Sequence, residues 1–237
     1  MKLDILAFGA HPDDVELACS GTLLRYKAQG KKVGVVDLTK GELGTRGTEL
    51  TRAEESNNST AILGLDAREN LGLADGWFQI NKESITKVIE VLRKYRPSVV
   101  LANAVHDRHT DHGRGARLIQ EAIFLSGLSK VDTFQDGMQQ EPWRPPHLFH
   151  YIQYYHITPD FVVDVTDYQE KKMESILAYR TQFYDPTSDE PQTLISSEKF
   201  IHHIEARARE MGSGIQVTFG EGFTTAAPLP YDFTSLL

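Results

Sequence analysis

The chain has 237 residues, 40% apolar and 24% charged, with a formal net charge of −8. That balance suits a soluble globular protein with a sizeable core, and no run of Lys and Arg offers a face for nucleic acid or an anionic membrane. Cys19 is the only cysteine, which excludes an intrachain disulfide and a thiolate metal cluster.

Leu3 to Ala10 reads as a buried strand. It is too short for a secretory signal, and His11-Pro12-Asp13-Asp14 closes it with polar residues. No stretch approaches the ~20 apolar residues that span a bilayer, so a cytoplasmic location is expected. Asp14 to Gln29 reads as a helix ending at Gly30, and Lys32 to Leu38 as a second strand. Lys40 to Leu50 is a Gly-rich loop, followed by a helix from Thr51 to Leu63 closed by Gly64. Glu83 to Tyr95 is amphipathic and stops before Pro97. Val99 to Ala104 is strand-like, His106 to His112 a polar loop, and Gly113 to Leu125 a helix. Lys130 to Pro146 looks irregular. His147 to Tyr155 and Phe161 to Val165 read as strands, Tyr168 to Phe183 and Glu198 to Met211 as helices, and Gln216 to Thr225 as a last short strand. Strands alternating with helices predict one Rossmann-like α/β domain over residues 1–237, with a mainly parallel sheet flanked by helices.

In such a fold ligands bind beyond the carboxyl ends of the strands. A nucleotide site places several glycines at the first turn. This turn has one, Gly9, and then an imidazole and two carboxylates, which suit a cation and repel a pyrophosphate. His11 and Asp14, spaced i, i+3, can aim at one point. The best third ligand is His112, which follows another strand and opens a helix. Two His and one carboxylate leave positions open on a catalytic metal; zinc is the default, and Fe(II) accepts the same set. Asp13, beside a committed Asp14, is then free to take a proton from water as general base. His109 lies three residues before His112, where it can stabilise an oxyanion or protonate a leaving amine, with Asp111 as the carboxylate that orients it. Taken alone, His-Pro-Asp-Asp also fits a helix N-cap.

Ala10-His11-Pro12-Asp13-Asp14 and His109-Thr110-Asp111-His112 resemble the two signatures of the LmbE/PIG-L family of zinc N-deacetylases. The resemblance runs from Leu3 to about Gly222. The stretch Asp37 to Thr48, with Arg52-Ala53-Glu54-Glu55, is most similar to the bacillithiol-biosynthesis branch, which deacetylates N-acetylglucosaminyl malate. The resemblance implies His11, Asp14 and His112 as metal ligands, Asp13 as base, and His109 with Asp111 as the acid or oxyanion pair. It implies substrate contacts from Arg52 and from Arg144, the latter at the site rim and sometimes from a neighbouring subunit. Thr110 stands where many relatives have Pro. The resemblance also implies a homo-oligomer, often a hexamer, acting on a small amino-sugar; the charge pattern already gives neither nucleic acid nor membrane as partner.

Arg46 and Arg108 join Arg52 as candidate substrate-binding residues, because guanidinium forks match carboxylates in a bidentate manner. For Arg46 and Arg108 the competing expectation is pairing with local acids such as Glu42 and Asp107. Alternative activities are deacetylation of N-acetylchito-oligosaccharides and thiol-conjugate amidase chemistry. A non-catalytic sugar-binding protein is disfavoured by Asp13, since a pure binding site has no use for a base.

Overall fold

Strands β1 (Ile5–Gly9) and β2 (Val33–Thr39) are buried at every position in the computed structural model, which describes residues 1–229. Continuous apolar runs of this kind belong to the centre of a parallel sheet covered on both faces. The other elements are α1 (Asp14–Ala28), α2 (Glu49–Leu63), β3 (Ala67–Leu73), α3 (Lys82–Tyr95), β4 (Val99–Ala102) and α4 (Thr110–Ser126). They continue with β5 (Phe134–Gln135), β6 (Met138–Gln139), β7 (His147–Tyr151), β8 (Phe161–Asp164), α5 (Gln169–Leu177), α6 (Glu198–Ser213) and β9 (Gly220–Thr224). Seven strands form one sheet in the order β3-β2-β1-β4-β7-β9-β8. The pairs from β3 to β7 are parallel, and β9 runs antiparallel between β7 and β8. The mainly parallel α/β sandwich is thus the architecture found. The last eight residues of the expected 1–237 domain, 230–237, lie outside the described residues.

The order 3-2-1-4 reverses direction between β1 and β4, so a crevice opens at their carboxyl ends. One face of the sheet packs on α3 and α4 through Phe8, Val88, Leu92 and Leu118. The other packs on α1, where Cys19 is buried among Val15, Leu23 and Tyr151. A third cluster, Ile176, Tyr179, Phe183, Phe200 and Ile204, sits against Leu17 and Tyr154 and raises a wall beside the crevice.

Local chemistry explains the boundaries. Thr48 and Asn81 each form a capping box with the residue three on, starting α2 and α3. Gly64 takes the left-handed conformation that ends α2. Four elements depart most from the sequence expectation. β3 carries Arg68, Glu69 and Asn70 at a half-exposed sheet edge, so no apolar run announces it. Asp136-Gly137, both at positive φ, turns a short β5–β6 hairpin inside the stretch expected to be irregular. The helix expected from Tyr168 to Phe183 ends at Leu177. Among the described residues no helix is long and apolar enough to cross a membrane.

Candidate metal centre and reaction cavity

The turn after β1 is built tightly around Gly9. A Cβ there would lie 3.0 Å from the His11 carbonyl and 3.2 Å from the Asp14 Cβ. Asp13 then adopts φ 123°, a region costly for a residue with a side chain. Arg52 of α2 braces this backbone: one guanidinium nitrogen donates to the Pro12 carbonyl and lies 3.3 Å from Asp13 Oδ2. Asp13 occupies the N-cap position of α1, yet its side chain makes no capping hydrogen bond. The carboxylate lines the cavity instead. The N-cap expectation therefore fails for its side chain.

Asp14 sits at the centre. Its Oδ1 lies 3.1 Å from His112 Nε2 and accepts from Gln153 Nε2 at 3.0 Å. Its Oδ2 accepts from Asn103 Nδ2 at 2.9 Å and the His11 amide at 3.0 Å, and lies 3.6 Å from His11 Nδ1. The far nitrogen of each imidazole is tied to a further carboxylate. His11 Nε2 meets Asp75 Oδ1 at 3.0 Å, and His112 Nδ1 meets Asp107 Oδ2 at 2.5 Å. Carboxylates of this kind fix the tautomer and orientation of a metal-ligating histidine. Ligand atoms of His11, His109 and His112 also come within 4.8 Å of one another.

The electrostatics fit a cation. Burial would lower the His112 ring, but Asp14 and Asp107 outweigh it and push it up to about 9. His11 is likewise raised, against burial, by Asp111, Asp14 and Asp75. Both shifts arise from a carboxylate-rich centre that favours positive charge, which a divalent ion would supply in place of protons. The donor set, oxygen and imidazole nitrogen with secured outer partners, suits zinc or Fe(II).

Burial, with the Asp14 charge pushing the same way and Arg52 opposing, raises Asp13 to about 7. Such a carboxylate is poised to exchange a proton near neutrality. Burial lowers His109, and positive charge on His11 and His112 adds to the effect. His109 is the N-cap of α4, and its Nδ1 accepts the Asp111 amide at 3.3 Å. The hydrogen-bond network therefore assigns the proton of the neutral ring to Nε2. The expected His109–Asp111 carboxylate pair is not formed. At the second position of α4, Asp111 reaches toward the loop after β3. There its Oδ2 accepts the Gly76 amide at 2.7 Å and its Oδ1 accepts Arg114 at 2.6 Å. Asp111 Oδ2 is also 3.5 Å from His11 Nε2, so this carboxylate supports His11 rather than His109.

The cavity above this centre holds about 230 Å³. Of the four expected arginines, Arg52 and Arg108 line it. Exposed Arg108 lies over the Tyr154 ring at 5.4 Å. Arg46 is turned away: buried, it sits 3.3 Å from Glu190 and donates to Ser188 at 2.6 Å, tying the Gly-rich loop to residues 188–190. Its local-acid partner is thus Glu190 and not Glu42. Arg144 stacks on Phe124 at 4.7 Å, on the outer side of α4 and away from its own chain's cavity.

Sequence reasoning missed Asp75, Asn103, Asp107 and Gln153, and also Arg207, which lines the cavity. Asp107 stands in the polar loop already singled out after β4, and Asn103 and Gln153 follow strands. The carboxyl-end rule would have found these three. Asp75 follows β3, which has no apolar signature, and Arg207 is hidden on a late helix.

A family model described as PIG-L, GlcNAc-PI de-N-acetylase, matches residues 6–123. Over 192 residues the chain is 28% identical to a diacetylchitobiose deacetylase of Thermococcus kodakarensis, covering 76% of this chain and 70% of that protein. It is 26% identical over 199 residues to a probable N-acetyl-alpha-D-glucosaminyl L-malate deacetylase 2 of Bacillus anthracis, covering 76% and 81%. The crystal structure of a conserved protein from Thermus thermophilus superposes with a TM-score of 0.87 at 36% identity, over 97% of each chain.

Proposed function

The chain belongs to the PIG-L family of de-N-acetylases, and from that premise we propose that it hydrolyses the acetamide of an N-acetylglucosamine derivative with a divalent cation held by His11, Asp14 and His112. The observation that carries the reading is Asp13. It is a buried carboxylate at about 7, held in a strained conformation and unused as a helix cap.

What a cation supplies when bound there is Lewis-acid polarisation of the amide carbonyl and a water of lowered pKa. Asp13 takes a proton from the attacking water as its oxygen bonds to the carbonyl carbon. His109 Nε2–H donates to the oxyanion that develops, which a neutral ring can do without itself losing a proton. Asp13 then returns its proton to the amide nitrogen. The C–N bond breaks, and acetate leaves a free amine. Arg52 holds Asp13 in place throughout.

The substrate we favour is N-acetylglucosaminyl malate, with N,N′-diacetylchitobiose as the alternative. Support comes from the similarity to relatives named for each, and from Arg108, which lines the cavity with no carboxylate within 4 Å among the described residues. A homo-oligomer is part of the proposal, because Arg144 could serve only a neighbouring chain's site. The test is acetate release from both sugars, before and after chelation and on adding back zinc. Release that chelation abolishes and zinc restores is the expected outcome. No release from either sugar by zinc-loaded protein overturns the reading.

A further inference from the structure

α6 presents Phe200, Ile204, Ala208 and Met211 as its buried face. Arg207 lies seven residues from Phe200, so it shares that face, where a helix ordinarily puts apolar side chains. The helix cannot roll to expose it. A Cβ on Gly212 would lie 2.8 Å from the Val217 carbonyl and 3.0 Å from the Gly220 amide, so the end of α6 is in backbone contact with the start of β9.

Half-buried Arg207 lines the reaction cavity beside Leu17, Tyr154, Ile195 and Phe200. A guanidinium carries five N–H donors. The hydrogen bond found for it among the described residues is one long contact to the Leu17 carbonyl at 3.4 Å. Among the described residues no carboxylate lies within 4 Å of it. The two acids whose charge it feels, Asp107 and Glu221, are committed elsewhere. Asp107 holds His112 and the amides of Tyr154 and Tyr155. Glu221 holds Lys172 and the amides of Gly21 and Thr22. The remaining donors of Arg207 face the open cavity, where no carboxylate among the described residues meets them, so an anionic ligand would find the fork free.

We propose that Arg207, with Arg108 lining the same cavity, receives a carboxylate on the substrate's aglycone and makes the enzyme select acidic N-acetylglucosaminides. This rests on the deacetylase reading above. The planar fork gives bidentate geometry that a neutral sugar hydroxyl would not exploit. The carboxylate is remote from the scissile amide, so its binding is felt equally in ground and transition states and appears in KM.

The test compares N-acetylglucosaminyl malate with its dimethyl ester, using the zinc-loaded full chain. Wild type should favour the acid. Arg207→Met should raise KM for the acid about 10- to 100-fold, the range for a hydrogen bond to a charged group, with kcat little changed. The ester should change less than about two-fold. Arg207→Lys, which keeps the charge but not the fork, should restore part of the loss, and it serves if the Met variant melts early. Calorimetric titration with deacetylated glucosaminyl malate reads the same site without turnover. Equal losses on acid and ester, or unchanged binding of the acid by both variants, overturn the proposal. If wild type releases acetate from neither compound, the deacetylase reading falls, and the titration still decides Arg207.

Discussion

On the wall of the cavity made by the carboxyl ends of β1 and β4, Asp14 touches His112, Gln153, Asn103 and the His11 amide. Each flanking imidazole is held from behind by its own carboxylate. On the opposite wall, made by Ile195 and α6, the lining is apolar apart from Arg207, which has one long hydrogen bond. The first wall leaves its side chains almost no freedom, and the second leaves a cation waiting. Proton transfer demands atoms placed to within a fraction of an ångström, whereas choosing among aglycones needs shape and one complementary charge. The family match, residues 6–123, contains all of His11, Asp13, Asp14, His109 and His112 and none of α6. On the proposed reading the catalytic residues all fall within that stretch, while selectivity is divided between Arg108 inside it and Arg207 beyond it.

If that division holds, substitutions on the first wall should abolish turnover, and those on the second should redirect it. The largest effect is expected for His112→Ala. Metal content, measured by elemental analysis after dialysis, should fall from about one ion per chain to near zero, and deacetylation with it. Full occupancy and activity in the His11→Ala/His112→Ala variant would remove the ligand assignment.

Next in size, Asp13→Asn should retain the metal and lower kcat by roughly 10²–10⁴, the range for a positioned acid or base. Asp14→Asn should lose the metal first. Identical behaviour of the two would break the distinction between base and ligand. Smaller again, Asp107→Asn and Asp75→Asn should each weaken zinc binding about 10- to 100-fold, as loss of an outer partner does. Competition with a chelator of known affinity reads this, and unchanged affinity in both would show that the histidines need no support from behind.

The smallest functional effect belongs to Arg46. Arg46→Met removes its hydrogen bond and ion pair to residues 188–190, which should cost about 1–2 kcal/mol of stability. Its KM for either sugar should stay within about two-fold. A selective rise in KM for the malate conjugate would return Arg46 to the site.

Much of the first wall was legible because its ligands sit next to strands with unbroken apolar runs. Ile5–Gly9 and Val99–Ala102 announce themselves, and the polar residues just beyond them are the site. Asp75 was invisible for the opposite reason. β3 is a half-exposed edge strand with Arg68, Glu69 and Asn70 inside it, so nothing marked where it ended. The direction of the Asp111 carboxylate was not legible either. It depends on His109 capping α4 with its own ring and on the Gly76 amide and Arg114 meeting the Asp111 carboxylate, long-range and local contacts that spacing does not settle. Arg207 looked like any surface arginine of an amphipathic helix until the contact of Gly212 with β9 fixed which face turns inward.

The φ of 123° at Asp13 sets stability against activity at one residue. Glycine adopts that conformation without penalty, so Asp13→Gly should relieve local strain of about 1–3 kcal/mol, less what glycine's unfolded-state entropy takes back. It would also remove a buried carboxylate pressed against Asp14. Because Asp13→Gly alone leaves buried Arg52 without its facing carboxylate, the gain in melting temperature should appear only when Arg52→Met accompanies it, and neither variant should release acetate. Demand for turnover is what keeps an aspartate in a conformation that glycine would adopt without strain.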